Sequence, residues 1–183
     1  MIVAIRHGPV AADGICYGRW NPPVVNPPQA DADTVLRTLP PGGDAVRIVS
    51  SPADRCLAVA VQLAERLGLP VTEDPRIAEL AMGEWEGKAW QWIERHDGER
   101  LRLWMERWQV AAPPGGESLA DLQSRVHAAA ADAMPRGPTL WITHAGVIRS
   151  LRVLYHSEPW HEAVRSPVPH LSPERFAAGG DRS

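Results

Sequence analysis

Ile2-Val3-Ala4-Ile5 runs without a break into Arg6-His7-Gly8. The apolar, largely β-branched start predicts a buried strand. It stops on a cation, an imidazole and a glycine. Two reactive side chains therefore stand at the carboxyl end of a strand, where open α/β sheets build their ligand crevices. Gly8 allows a tight turn and leaves its amide bare for an anion. A second ending of the same kind comes late in the chain. Thr139-Leu140-Trp141-Ile142-Thr143 reads as a strand, stops on His144, and Ala145-Gly146-Val147 opens a helix that runs to about Leu154.

Between these two endings the chain alternates. Val46 to Ser50 and Val71 to Glu73 read as strands. Helices are expected over Asp31 to Leu39, Ala53 to Leu67, Lys88 to His96, Glu99 to Trp108 and Leu119 to Met134. Leu101, Trp104, Met105 and Trp108 form one stripe. Ser51 is the expected N-cap of the second helix, with Pro52 at its first position. Pro40-Pro41-Gly42-Gly43 closes the first helix, Gly68 and Pro70 the second. Ser118 is placed to cap the Leu119 helix, and Gly137-Pro138 breaks it. Pro9 to Ala30 is Gly- and Pro-rich, and a loop of that length in a small domain tends to be functional. The alternation predicts an α/β fold, a three-layer α/β/α sandwich with a mostly parallel central sheet. His7 and His144 then share one sheet edge. Residues 1–183 read as one domain, with a core over about 1–155 and a proline-rich tail from Ser157. The final residues, Gly179 to Ser183, are expected to be disordered.

Composition narrows the function classes. The chain has 183 residues, 44% of them apolar, and a net charge of −3. That suits a globular protein with a real core. It offers no global basic field for nucleic acid or an acidic membrane, so local arginines must hold any anionic ligand. No apolar run approaches the ~20 residues a spanning helix needs. A signal peptide is not expected, because cleavage would remove Arg6 and His7. Cys16 and Cys56 have no metal-ligand spacing and read as reduced thiols of a cytoplasmic protein. The eight tryptophans against one phenylalanine have no physical account beyond packing and pocket lining.

Four pieces carry chemistry. Arg6 and His7 end the first strand. Arg55 sits in the first turn of the helix after the second, His144 ends the late strand, and Glu79-Leu80-Ala81-Met82-Gly83-Glu84-Trp85-Glu86-Gly87 offers carboxylates. Guanidinium forks bind phosphoryl oxygens bidentately, and a helix N-terminus adds its dipole. One histidine can attack phosphorus through a neutral nitrogen if a backbone acceptor pins the other. The other can donate to a phosphoryl oxygen. A carboxylic acid can protonate the leaving oxygen, its proton favoured by repulsion from a phosphate dianion. Spacing alone does not choose among Glu79, Glu84 and Glu86. A metal site would want a third ligand and a less cationic surround.

The set closely resembles the histidine phosphatase superfamily, which includes the cofactor-dependent phosphoglycerate mutases. The matching stretches are Arg6-His7-Gly8, Ser51-Pro52-x-x-Arg55, Glu79-x-x-x-Gly83-x-x-Glu86-Gly87, Gly115-Gly116-Glu117-Ser118 and His144-Ala145-Gly146-Val147-Ile148-Arg149. They span residues 2 to about 155. The resemblance implies a phosphoglycerate mutase-like fold and His7 as a nucleophile that becomes phosphohistidine. It also implies a phosphate pocket of Arg6, Arg55 and His144, Glu79 as proton donor, and no metal or other cofactor. Gly14-x-Cys16-Tyr17-Gly18-Arg19 is similar to the α-ribazole phosphatase branch. Val10 stands where a threonine is frequent, Asn21 where a carboxylate is usual and Ala145 where a glycine is frequent. The expected function is a metal-independent phosphomonoesterase acting on a small phosphorylated metabolite, α-ribazole 5′-phosphate being the specific candidate. The alternatives are phosphoglycerate mutase-type transfer and a non-catalytic module that binds phosphorylated ligands.

Glu117 reads equally as a structural residue at a helix start. Trp85, Trp90 and Trp92 could line a substrate mouth or pack a subdomain, and Tyr17 and Arg19 could touch the non-phosphate part of a substrate. His127 is expected to lean to solvent. His96, His156, His161 and His170 have no partner spacing.

Overall fold

The computed structural model describes residues 1–39 and 45–177. The turn expected at Pro40-Pro41-Gly42-Gly43 and the tail end at Gly179 to Ser183 lie outside the described residues. Five strands form one sheet: β1 (Ile2–Arg6), β2 (Arg47–Ser50), β3 (Val71–Glu73), β4 (Thr139–Thr143) and β5 (Pro173–Phe176). Their order is β3-β2-β4-β1-β5. The first four are mutually parallel and β5 runs antiparallel along β1. The helices are α1 (Pro28–Thr38), α2 (Asp54–Leu67), α3 (Trp90–Glu106), α4 (Leu119–Ala133), α5 (Ala145–Tyr155) and α6 (Trp160–Ala163).

The layers follow from the two-residue period of a strand. Val3 and Ile5 of β1, with Leu140 and Ile142 of β4, pack on Ala32 and Val35 of α1 and Val59 and Leu63 of α2. Their alternates, Ile2, Ala4 and Trp141, face Leu122, Val126 and Ala129 of α4 and Val147, Ile148 and Leu151 of α5. This is the expected α/β/α sandwich. Each fully buried aliphatic side chain contributes ~1.5–3 kcal/mol. A third cluster, Cys16, Met82, Trp85 and Ile93, ties the 14–20 loop to α3.

Several boundaries differ from the sequence reading. The first helix begins earlier, at Pro28. The helix after β2 starts at Asp54, and its N-cap is Ala53, with no side-chain bond. Ser51 is not the cap. Its hydroxyl lies 2.7 Å from His144 Nε2 and accepts from Ala53 N at 3.3 Å. Gly68 ends α2 at φ 65, as a left-handed C-cap requires. The segments expected over 88–96 and 99–108 join into α3, which is broken at Asp97 (φ −142). The break brings the Asp97 carboxylate to the buried Trp85 indole, which donates to it at 2.6 Å. Ser118 does cap α4, in a reciprocal capping box with Asp121.

The tail from Ser157 supplies α6 and β5, and Val168 and Phe176 are buried in the same cluster as Ile2. Pro173 hid this strand from the sequence reading, because proline is tolerated at the first position of an edge strand but argues against a strand elsewhere. His127 is half-buried rather than solvent-facing, and its Nε2 has no partner among the described residues.

Candidate active site

Parallel pairing carries His7 and His144 to one place. Arg6 stands opposite Thr143 in the ladder, and His7 N still donates to Thr143 O at 2.9 Å. The two imidazoles that follow lie with ring centroids 5.2 Å apart. Both rings are buried.

His7 Nδ1 lies 2.7 Å from Gly8 O. A carbonyl only accepts, so the proton is on Nδ1 and Nε2 carries the lone pair. Arg55 Nε donates to that lone pair at 3.2 Å. Burial, then the Arg55 charge, push the His7 pKa from 6.5 down to about 3, which keeps the ring neutral at neutral pH. His144 Nδ1 faces Arg55 Nη2 at 3.3 Å. Its Nε2 therefore carries the proton toward the Ser51 hydroxyl. Burial, then Arg55, hold it well below the usual histidine range.

Arg55 is itself buried, and it donates in five directions. Besides the two rings it reaches Trp20 O (2.9 Å), Asn21 Oδ1 (3.1 Å) and Gly18 O (2.7 Å). The amide oxygen of Asn21 thus supplies the acceptor for which a carboxylate was expected. It also accepts from Asp54 N at 3.2 Å, at the start of α2. Arg6 is half-buried. Its Nη1 donates to Val168 O at 2.8 Å, and its Nε is buried with no partner among the described residues.

Geometry separates the three carboxylates that spacing could not. Glu84 points away and pairs with Arg100 at 3.2 Å. Glu86 accepts from the backbone amides of Arg19 (3.0 Å), Trp20 (2.5 Å) and Met82 (2.9 Å), which fastens the 14–20 loop. Glu79 accepts from Leu80 N at 3.0 Å and from Gly146 N at 3.2 Å, in the first turn of α5. A Cβ at Gly146 would lie 2.3 Å from Glu79 Oε1, so this approach requires glycine. Glu79 also borders a small pocket of about 130 Å³ with Gly18, Arg19, Asn21, Ala53 and His144.

Three contributors escaped the sequence reading. Arg125 of α4 holds the backbone under Glu79: it donates to Arg76 O (2.7 Å), Ala78 O (2.6 Å) and Glu79 O (3.0 Å). Its Nε pairs with Glu117 at 2.6 Å, which places Glu117 as a brace and not at the pocket. His170 Nδ1 donates to His7 O at 2.6 Å, and the two rings lie 5.4 Å apart. Leu171, beside it, takes φ 57, a conformation uncommon for a side chain of its size. Asp31 is buried against Gly8 and receives Asn26 Nδ2 at 3.0 Å. Burial raises its pKa. A signal existed for Asp31, a carboxylate on the apolar stripe of α1. None existed for His170, which lies 163 positions from its partner.

Of the three tryptophans weighed above, Trp85 meets the packing alternative. Trp85 is core, and Trp90 and Trp92 are 37% and 42% exposed. Trp104, Trp108 and Trp160 line a cleft of about 460 Å³ together with Tyr17 and Glu79. Arg19 donates to Glu79 O and pairs with Glu117, both at 3.4 Å. No cluster of three or more His, Cys, Asp or Glu side chains suited to a metal ion occurs among the described residues. No helix among them is long and apolar enough to cross a membrane.

Several known proteins resemble this chain. The adenosylcobalamin/α-ribazole phosphatase of Escherichia coli K12 is 28% identical over 169 residues, covering 87% of this chain and 83% of that protein. A glucosyl-3-phosphoglycerate phosphatase of Mycobacterium tuberculosis is 33% identical over 115 residues, 57% of this chain and 51% of the relative. The chain thus matches about half the length of the mycobacterial protein. The α-ribazole phosphatase of Shigella flexneri superposes with a TM-score of 0.82 at 23% identity, covering 93% of this chain and 86% of that one, and shares the fold. Bacillus stearothermophilus YhfR superposes at 0.81 with 25% identity, over 100% and 97% of the two chains. The sequence profile of the histidine phosphatase superfamily (branch 1) matches residues 2–182, and the chain belongs to that family.

Proposed function

We propose that the chain is a metal-independent phosphomonoesterase that works through a phosphohistidine. One observation carries the reading: a buried, neutral His7 presents its Nε2 lone pair beside Arg55, with Nδ1–H fixed on Gly8 O. A phosphate dianion entering beside His144 draws the Arg55 guanidinium from that lone pair onto its own oxygens. Arg6 adds a second cation, and the dianion favours a proton on His144 Nδ1, which then donates to a phosphoryl oxygen. His7 Nε2 attacks phosphorus and the P–O bond to the alcohol breaks. Glu79 gives its proton to the departing oxygen. In the second half Glu79 takes a proton from water, the water oxygen attacks phosphorus, and the N–P bond breaks. His7 regains its lone pair and inorganic phosphate leaves. Because the guanidinium caps the nucleophile, ligand charge is what uncovers it.

For the natural substrate we favour α-ribazole 5′-phosphate. The support is the Escherichia coli relative, matched over most of both chains, and the Gly14 to Arg19 stretch. Free, buried Cys16 and Cys56 favour a reducing, cytoplasmic setting. The test is phosphate release over a panel of phosphorylated metabolites that includes α-ribazole 5′-phosphate, 3-phosphoglycerate and an aryl phosphate, with His7→Ala as control. Phosphate release from α-ribazole 5′-phosphate by the wild type alone supports the reading. Isomerisation of 3-phosphoglycerate without free phosphate would replace it with a mutase, and a silent panel with retained binding would replace it with a binding module.

A further inference from the structure

The pocket beside His144 is sized for a phosphoryl group and leaves the rest of a phosphomonoester without a place. Glu79 lines both that pocket and the 460 Å³ cleft. An ester oxygen set against the Glu79 carboxylate therefore directs phosphorus toward His144 and carbon into the cleft. The cleft is built by six separate segments, among them Glu79 to Met82 and the start of α4. Tyr17 comes from the first loop, Trp104 and Met105 from α3, Arg149 from α5 and Trp160 from α6. Its volume falls in the usual range for small-molecule sites. Its walls expose apolar surface: Met105 is 62% exposed, and Trp108 belongs to none of the core clusters. Apolar surface gathered at an open groove marks a binding site.

One cation stands in this apolar lining. Arg149 Nε is buried with no partner among the described residues, and its Nη2 reaches only Ser166 O, at 3.5 Å. A guanidinium left so poorly matched is costly unless a ligand supplies the acceptor. Aromatic walls and one under-used fork together define a ligand chemistry.

We propose that this cleft seats the leaving alcohol, and that the substrate is a phosphomonoester whose alcohol carries a planar aromatic body and a hydrogen-bond acceptor for Arg149. The proposal rests on the phosphomonoesterase reading and adds the substrate class. Trp104 also packs on Trp85, with centroids 5.7 Å apart, so its removal would disturb the core. Trp108→Ala avoids that.

The test uses four alkyl phosphates of similar leaving-group reactivity: ethyl, benzyl, 1-naphthylmethyl and 4-carboxybenzyl phosphate. For the full chain, kcat/KM for 1-naphthylmethyl phosphate is expected to exceed that for ethyl phosphate by at least about tenfold, the scale on which apolar pockets discriminate. Trp108→Ala should shrink that ratio at least about fivefold, and Arg149→Gln should erase the preference for 4-carboxybenzyl over benzyl phosphate. Calorimetric binding of 1-naphthylmethanol, which has no phosphate, reads the cleft without turnover. Turnover of all four esters with equal kcat/KM, or ratios that neither variant moves, would overturn the cleft proposal alone. Silence on every ester with saturable, Trp108-dependent binding of the alcohol would overturn the phosphomonoesterase reading and keep the cleft. Silence without binding would overturn both.

Discussion

Arg55 Nε donates to His7 Nε2 at 3.2 Å while Arg55 Nη2 faces His144 Nδ1 at 3.3 Å. One guanidinium thus touches both imidazoles and adds its charge to the burial that keeps them neutral. In Arg55→Ala the charge is gone and only burial remains. The His7 pKa should rise from about 3 and stay below 6.5, readable from imidazole ¹⁵N shifts. Phosphate release should fall about 10²–10³-fold, as when a preorganised donor is removed. Arg55→Lys keeps the charge but not the planar fork, so it should restore the low His7 pKa without restoring activity. An unchanged His7 titration in Arg55→Ala would remove Arg55 from this role.

The same burial makes the fold sensitive to acid. In the unfolded chain an imidazole titrates near 6.5, while His7 titrates at about 3 and His144 is lowered as well. As pH falls below 6.5 the unfolded state takes up protons that the folded state refuses. The stability from neutral, buried His7 is full above pH 6.5 and is lost as pH falls toward 3. Each such histidine withdraws up to ~1.4 kcal/mol per pH unit. Urea midpoints should drop between pH 7 and 5, and less steeply in His7→Gln. Parallel pH profiles for the two proteins would contradict this.

Much of this arrangement was legible before any coordinates. β4 is a short apolar run cut off by turn residues, and the observed bounds of both β3 and β4 match the sequence reading. His7, Arg55 and His144 were found because they end strands or open helices, where local pattern and location in the fold coincide. Glu79 needed the family resemblance, because Glu84 and Glu86 sit in the same irregular stretch. Only the amides each carboxylate accepts separate them. Arg125 and His170 escaped because they act through contacts across the fold, about which periodicity is silent, whereas Asp31 stood on the apolar stripe of α1 and was passed over. The tail escaped because its strand begins with Pro173, and the cleft because Trp160 comes from that tail.

Glu79 should matter most when the leaving group is poor. With an alkyl phosphate, Glu79→Gln should slow phosphate release about 10²–10⁴-fold, the usual range for a lost general acid. With p-nitrophenyl phosphate, whose phenolate departs without help, the first step should slow far less. Single-turnover rates separate that step from hydrolysis. Equal losses on both esters would take the proton-donor role away from Glu79.

Gly8 sits against Asp31, and a Cβ there would lie 1.7 Å from Asp31 Oδ2. Gly8→Ala should destabilise the fold by ~1–3 kcal/mol, the cost of overpacking. The double variant with Asp31→Ala should recover much of that, since neighbouring sites couple. Urea denaturation of the four proteins measures the coupling. Additive losses would show that Asp31 does not press on Gly8.

The most direct measurement catches the covalent intermediate. The protein is mixed with a phosphomonoester, quenched in alkali, which spares a phosphorus–nitrogen bond, and mapped by mass spectrometry. The account predicts one phosphoryl group on His7, formed at least as fast as phosphate is released and missing in His7→Ala. Turnover with His7 unmodified at every time point, or a phosphoryl group on another side chain, would contradict it.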